Sequence, residues 1–164
     1  MILNKQKGAG LVEVLVALLL LTIGILGFSL LQLRAMDATQ EATDRTSAIN
    51  TARDLAERIR VNRTQLTEYK DAINGTPEEA DCLVQTGLAK CTAKNMAHYD
   101  AQQILDKAKN NGQTILIADC KKSKSLSCIY MAWGKTDIKK SLSSCVEDTG
   151  TYVVDSKCLV MEAY

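Results

Sequence analysis

The chain has 164 residues, 46% hydrophobic and 24% charged, with 20 Lys and Arg against 19 Asp and Glu. A net charge of +1 with no dense basic patch excludes a protein built to grip nucleic acid, and Lys121, Lys122 and Lys124 read as a solvated loop. One histidine, no glycine-rich phosphate loop and no acid pair flanked by apolar positions leave no catalytic constellation, so neither enzyme activity nor a cofactor is expected.

The chain opens on a short basic stretch, Lys5-Gln6-Lys7-Gly8, followed by Ala9-Gly10-Leu11-Val12-Glu13. Residues 14–33 carry no charge, and only Thr22, Ser29 and Gln32 among them are clearly polar. As a helix rising ~1.5 Å per residue, this run of twenty spans about 30 Å, the hydrocarbon thickness of a bilayer. Lys5 and Lys7 put its N-terminal end in the cytoplasm and everything beyond it on the other side. Glu13 needs a reason, because an ionisable group in a membrane helix is costly and usually has a partner. The nearest candidate cation is the α-amino group that a cut after Gly8 would create. A secretory signal has an apolar core of about 7–15 residues and a small-x-small site after it. This run is too long for that, and Glu13 interrupts its start. A plain single-span anchor fits residue 14 onward but has no use for Gly8 or Glu13.

Gly8, Glu13 and the uncharged run together resemble the class III signal of type IV pilins and type II secretion pseudopilins. The resemblance implies that a prepilin peptidase cuts between Gly8 and Ala9 and methylates Ala9. Glu13 becomes the fifth residue of the mature chain and pairs with the N-terminal amine of a neighbouring subunit. Loss of Lys5 and Lys7 leaves 18 basic side chains against 19 acidic ones, hence −1.

Helical patterning continues over residues 34–62, which contain neither Gly nor Pro. Ala35, Ala38, Ala42, Ile49, Ala52, Leu55, Ala56 and Ile59 recur at three- and four-residue steps as one apolar stripe, with charges on the other faces. The simplest reading is one helix of about fifty residues, its first half apolar all round and its second half laid across a head, as the stripe requires. Gly24 and Gly27 are where its membrane half would soften. The stretch Asp54-Leu55-Ala56-Glu57-Arg58-Ile59-Arg60-Val61-Asn62 is similar to the Leu-x-x-Arg-Met-Arg-x-Asn segment of PilV-type minor pilins, as is the start Val12-Glu13-Val14-Leu15-Val16-Ala17-Leu18. Arg58 and Arg60 are then candidate subunit contacts, or cations that simply complement the helix end. The expected organisation is a leader at 1–8, a membrane or filament-core helix at 9–33, an amphipathic helix at 34–62 and a periplasmic head at 63–164.

Six cysteines, Cys82, Cys91, Cys120, Cys128, Cys145 and Cys158, all lie beyond the span. An even number in a domain outside the cytoplasm reads as three disulfides; six cysteines allow fifteen connectivities, and the sequence alone does not choose. The gaps form three local pairs, 82–91, 120–128 and 145–158, which is the expected pairing. No close Cys pair and a single His98 argue against zinc, so no metal site is expected. Thr76-Pro77-Glu78-Glu79 has the chemistry of a helix start, for a helix carrying Cys82 and stopping near Gly87. Asp100 starts a second helix that ends at Asn110-Asn111-Gly112. Strands are expected at 114–118, 126–133, 151–155 and 158–162, with a turn at Asp155-Ser156-Lys157. Tyr130 and Trp133 read as packing residues. The sequons at Asn62 and Asn74 read as turn chemistry, and Glu147-Asp148-Thr149-Gly150 is too sparse for calcium.

A long helix followed by a small antiparallel sheet is an α+β arrangement, here type IV pilin-like with a disulfide-stapled head. The function implied by the resemblance is that of a PilV-like minor pilin. Its partners are prepilin peptidase, other minor pilins, the major pilin, the inner membrane and a large tip adhesin. It supports pilus biogenesis, twitching motility and adhesion, first in the inner membrane and then in the filament. A minor pseudopilin of a type II secretion system shares the leader and helix. A single-span tethered periplasmic binding or sensor domain is the reading from another class.

Overall fold

The computed structural model describes residues 10–78, 82 and 91–163. The expected long helix is present as α1, Leu11–Val61, unbroken through Gly24 and Gly27. It contributes to two compact units, one ending at Ala42 and one beginning at Thr43. In the first unit every large apolar side chain from Leu11 to Leu33 is about half exposed or more. Its hydroxyls are satisfied by the helix itself: Thr22 Oγ1 donates to the Leu19 carbonyl at 2.8 Å and Ser29 Oγ to that of Ile25 at 2.9 Å. The helix is long and apolar enough to cross a membrane.

The second unit is the head, and α1 is part of its core. Ala48, Thr51, Ala52, Leu55 and Ile59 are buried there. The expected stripe is therefore right at Ala52, Leu55 and Ile59, and Ile49 and Ala56 are half-buried. Ala35, Ala38 and Ala42 are exposed and belong to the first unit. After Val61 the chain makes a short 3₁₀ turn, Arg63–Gln65, and a two-turn helix α2, Leu66–Asn74, whose Tyr69, Ala72 and Ile73 face inward. Nothing in the sequence reading anticipated α2. The helix expected from Pro77 is not seen at Pro77 and Glu78, which have no regular structure, and its remaining length lies outside the described residues except for Cys82.

Helix α3 spans Ala93–Asn110, seven residues longer at its start than expected. Its N-cap is Thr92, whose side chain accepts from the Asn95 amide at 3.2 Å, satisfying one of the free donors of the first turn. It ends where expected, with Gly112 at φ 65°, a conformation that glycine takes without a Cβ penalty. Among the described residues three antiparallel strands follow in the order β1, Gln113–Asp119; β2, Ser127–Trp133; and β3, Cys158–Glu162. Ile115 pairs with Met131 and Tyr130 with Val160. The strand expected at 151–155 is a single bridge from Tyr152 to Val146, and the chain turns back at Asp155, φ 60°. Asp tolerates that left-handed conformation better than most residues.

Every residue of β2 is buried, because both faces of the sheet are covered. Ile129, Met131 and Trp133 point into the core shared with the three helices. Cys128, Tyr130 and Ala132 point to a second cluster completed by Ile138, Cys145, Val146 and Cys158. The segment between β2 and β3 therefore forms a layer of its own, and one of the head's three disulfides holds it. The bonds are Cys82–Cys91, Cys120–Cys128 and Cys145–Cys158. The third ties the buried Cys145 of that layer to the start of β3. Replacing Cys145 and Cys158 together by Ala is expected to cost about 2–4 kcal/mol, read as a lower urea midpoint of the head. An unchanged midpoint would show that the layer holds without its bolt.

The outer edge of β1 is also closed. Asn74, at the end of α2, donates its amide to the Ile117 carbonyl at 2.7 Å and accepts from the Ile117 amide at 2.9 Å. One side chain thus imitates a neighbouring strand and blocks the edge to further pairing.

Candidate functional site

Two sets of residues carry the sequence expectations: the N-terminal processing region and the charged end of α1. Gly8 and Ala9 lie outside the described residues, and the helix begins one residue after Gly10. Glu13 sits in its first turn, exposed, with its amide donating to the Gly10 carbonyl at 3.0 Å. An anion there complements the positive end of the helix dipole. Among the described residues no side chain pairs with its carboxylate. The surface it introduces is a helix apolar on all sides, a shape that demands lipid or other helices around it.

The other set is organised differently from what Arg58 and Arg60 suggested. Asp54 and Arg58 on one face of α1 and Asn62, one residue past its end, stand at i, i+4 and i+8, and all three reach α3. Asp54 meets Lys107 at 2.9 Å, Arg58 meets Asp100 and Gln103, the latter at 3.1 Å, and the Asn62 amide donates to the Ala93 carbonyl at 2.7 Å. Arg58 also donates to Asp54 at 2.9 Å. The second Asp100 oxygen accepts from the Tyr69 hydroxyl of α2 at 2.6 Å. This is a polar ladder that joins three helices beside the apolar core. Its Arg58 guanidinium is spent within the chain. Arg60 faces outward, paired among the described residues only with Glu57 at 2.6 Å, with 68% of its side chain exposed, and remains open to a neighbour.

The electrostatics follow from the ladder. Burial works against the Asp54 carboxylate, but hydrogen bonds and charge from Arg58 and Lys107 outweigh it and hold Asp54 below its ordinary 3.8. Burial works against Arg58 too, and Asp54 and Asp100 overcome it, raising the guanidinium further. Burial and the hydrogen bond to Asp100 push the Tyr69 phenol well above its ordinary 10.0. A depressed carboxylate contributes stability that is present above its unfolded value and lost as pH falls through the folded one. A raised phenol contributes stability that is present below its unfolded value and lost as pH rises through the folded one. These two groups therefore predict a urea midpoint that is level between about pH 4 and pH 10 and falls on both sides. A double variant Asp54→Asn, Tyr69→Phe is expected to flatten both flanks, and flanks that stay as steep would remove the ladder from the account.

Of the sequence candidates, the structure places Glu13 on the apolar helix and Arg58 inside the head, and it separates Arg58 from Arg60. Sequence reasoning missed Asp54, Asn62, Tyr69 and Asp100 as a set. The four-residue spacing of Asp54, Arg58 and Asn62 was the available signal.

Comparison with known families agrees with this geometry. The model of the prokaryotic N-terminal methylation motif matches residues 3–31, and the model described as type IV pilin Tt1218 matches residues 30–102. No curated protein matches the chain. No solved structure matches it either. The second match covers the C-terminal part of α1, α2 and the first turns of α3 to residue 102, so it includes Asp100. The first covers the basic stretch ending at Gly8, Glu13 and most of the apolar run, and implies processing by prepilin peptidase and assembly with other pilins. Signal, long helix, small antiparallel sheet and disulfides are the parts of one structural, non-enzymatic design, and the two matches support reading the chain as a type IV pilin.

Proposed function

We propose that this pilin is a PilV-like minor subunit of a type IV pilus. It is inserted with its leader in the cytoplasm and its head in the periplasm, cut between Gly8 and Ala9, methylated on Ala9 and oxidised at its six cysteines. The apolar half of α1 then leaves lipid for a bundle of like helices, and Glu13 pairs with the Ala9 amine of a neighbour. The observation that carries this reading is Glu13 in the first turn of a helix whose apolar side chains are exposed on every face, within the match to the N-terminal methylation motif. The similarity of residues 54–62 to PilV-type minor pilins supports the subtype. In that role the chain joins other minor pilins and the major pilin in the complex that primes assembly near the tip, with a large tip adhesin as further partner. Pilus biogenesis, twitching and adhesion are the processes it serves. Arg60, not Arg58, is the contact residue this surface offers.

The test is to shear filaments from cells and identify their subunits by mass spectrometry, beside a deletion strain. The proposal expects the chain in sheared pili and fewer pili without it. Normal pili together with a loss of protein secretion would assign it to a secretion pseudopilus instead. Retention in the membrane with no filament partner would leave a tethered periplasmic domain.

A further inference from the structure

His98 is the chain's single histidine, and neither the filament contacts nor the ladder uses it. It lies in the second turn of α3 and is 5% exposed. Its Nδ1 accepts a hydrogen bond from the backbone amide of Glu78 at 3.0 Å. A nitrogen that accepts carries no hydrogen, so the neutral ring holds its proton on Nε2. That nitrogen faces Glu68 Oε2 of α2 at 3.3 Å. The ring thus links α3 to α2 on one side and to the chain following α2 on the other.

We propose that His98 is a proton-operated fastener: its neutral ring holds the Glu78 main chain against α3, and its protonation releases it. A second proton has one place to go, Nδ1, the atom that accepts from Glu78. Two N–H groups would then oppose each other across a hydrogen-bond distance, and the backbone must move away. The imidazolium has compensation close by. Three charged groups face it among the described residues: Glu68 from α2, Glu78 from the segment itself, with Oε2 at 4.0 Å, and Lys94 from α3. Lys94 opposes the added charge but is itself 3.4 Å from Glu68 and 4.0 Å from Glu78. Protonation therefore gives up one neutral backbone bond and turns the existing Nε2–H bond to Glu68 into an ion pair, and the ring keeps its seat while the segment lets go. Histidine is the side chain whose ordinary charge change falls between pH 5 and 8.

The local chain is arranged so that the release stays local. Gly75 ends α2 at a position where an added Cβ would meet the Asp71 carbonyl oxygen at 3.0 Å, a bend that a larger residue would strain. Beyond Glu78, Cys82 is bonded to Cys91, the residue before the Thr92 cap of α3. The stretch 75–78 can thus detach between a glycine bend and a disulfide tether without loss of the core.

The test is a pH titration of the isotope-labelled full chain in detergent micelles, followed by NMR from pH 8 to pH 5. The ring is expected as the Nε2–H form at pH 8. As pH falls, the ring and the Glu78 amide should shift with one common midpoint, and Glu78 should lose roughly five- to tenfold of its exchange protection. His98→Asn places an amide oxygen near the Nδ1 position without a titrating group, and should keep Glu78 protected at every pH. A Glu78 amide that ignores the ring titration, or a ring that carries its proton on Nδ1 at pH 8, would overturn the proposal. The wild-type titration decides on its own if the variant does not fold.

Discussion

Glu13→Ala is expected to leave cleavage after Gly8 intact and to lower the amount of this chain in sheared filaments by tenfold to a hundredfold, on the order expected for losing one desolvated charge pair. The reasoning is electrostatic. The carboxylate sits at the start of a helix whose following side chains are exposed and apolar, so in the proposed filament it would enter a low-dielectric bundle together with that helix. A lone charge there is costly, and the α-amino group that the proposed cut would create on a neighbour would offer the matching charge at the same depth. With Ala in its place the neighbour's amine is left unpaired. Glu13→Gln tests the charge apart from the shape: it can still accept a hydrogen bond, so an intermediate loss is expected. Quantitative mass spectrometry of sheared filaments and of membranes separates failed assembly from failed processing. Equal filament content for wild type and Glu13→Ala would remove the ion pair from the mechanism.

The second large effect belongs to the head. Asp100→Ala should lower its stability by about 2–4 kcal/mol, as breaking a partly buried pair does, and its melting temperature by roughly 5–15 °C. Asp100 has 11% of its side chain exposed and serves two partners, Arg58 and the Tyr69 hydroxyl. Its removal strips a buried phenol of its acceptor and leaves Arg58 with Asp54 and Gln103. Asp100→Asn keeps an acceptor for Tyr69 and should lose about half as much, since only the charge is gone. Arg60→Ala is the contrast. Its pair with Glu57 is exposed on both sides, and such pairs are worth about 0–1 kcal/mol, so the melt should barely move. If Arg60→Ala instead reduces filament content at unchanged stability, it is a subunit contact. Thermal melts of the three variants in detergent, read by circular dichroism, distinguish these outcomes. Equal melts for Asp100→Ala and Arg60→Ala would show that the ladder carries no stability.

How much of this was legible in the sequence depends on whether the signal is local. The long helix announced itself through an uninterrupted apolar run and then a stripe. β1 to β3 appeared as runs of β-branched and aromatic residues, with ends correct to about one residue. The disulfides join cysteines that are neighbours in sequence. The misreadings occur where a residue's partner is distant. Asp100 was read as the first residue of a helix, the usual use of an Asp beside a polar stretch. Its carboxylate instead crosses to Arg58, 42 residues earlier, and the true start is the Thr92 hydroxyl. Helix α2 has no side-chain cap at Gln65 and only nine residues, so it offers no start signal. Its buried Tyr69, Ala72 and Ile73 make sense only against α3 and β1. Residues 151–155 have strand composition, but the Tyr152 hydroxyl donates no ladder bond; it accepts from the Val160 amide at 3.0 Å, and Val154 is 87% exposed. The one ladder contact of that stretch is the bridge from Tyr152 to Val146, between Cys145, which is bonded to Cys158, and the turn at Asp155.

The same distinction explains Arg58 and Arg60. Two residues apart on a helix, they point to different sides, and only the position of α3 decides which one is enclosed. The sequence treats them alike, while the fold consumes one and exposes the other. A residue similar to one in a family segment can thus owe its place to the head and not to the neighbour in the filament.

The account stands or falls on processing. The N-terminus and intact mass of the chain, purified from its native membranes, test this most directly. A chain that starts at Ala9, carries one added methyl group and has lost six hydrogens to three disulfides is the predicted result. An uncut chain beginning at Met1 would contradict it, and the helix from Leu11 would then be a permanent membrane anchor.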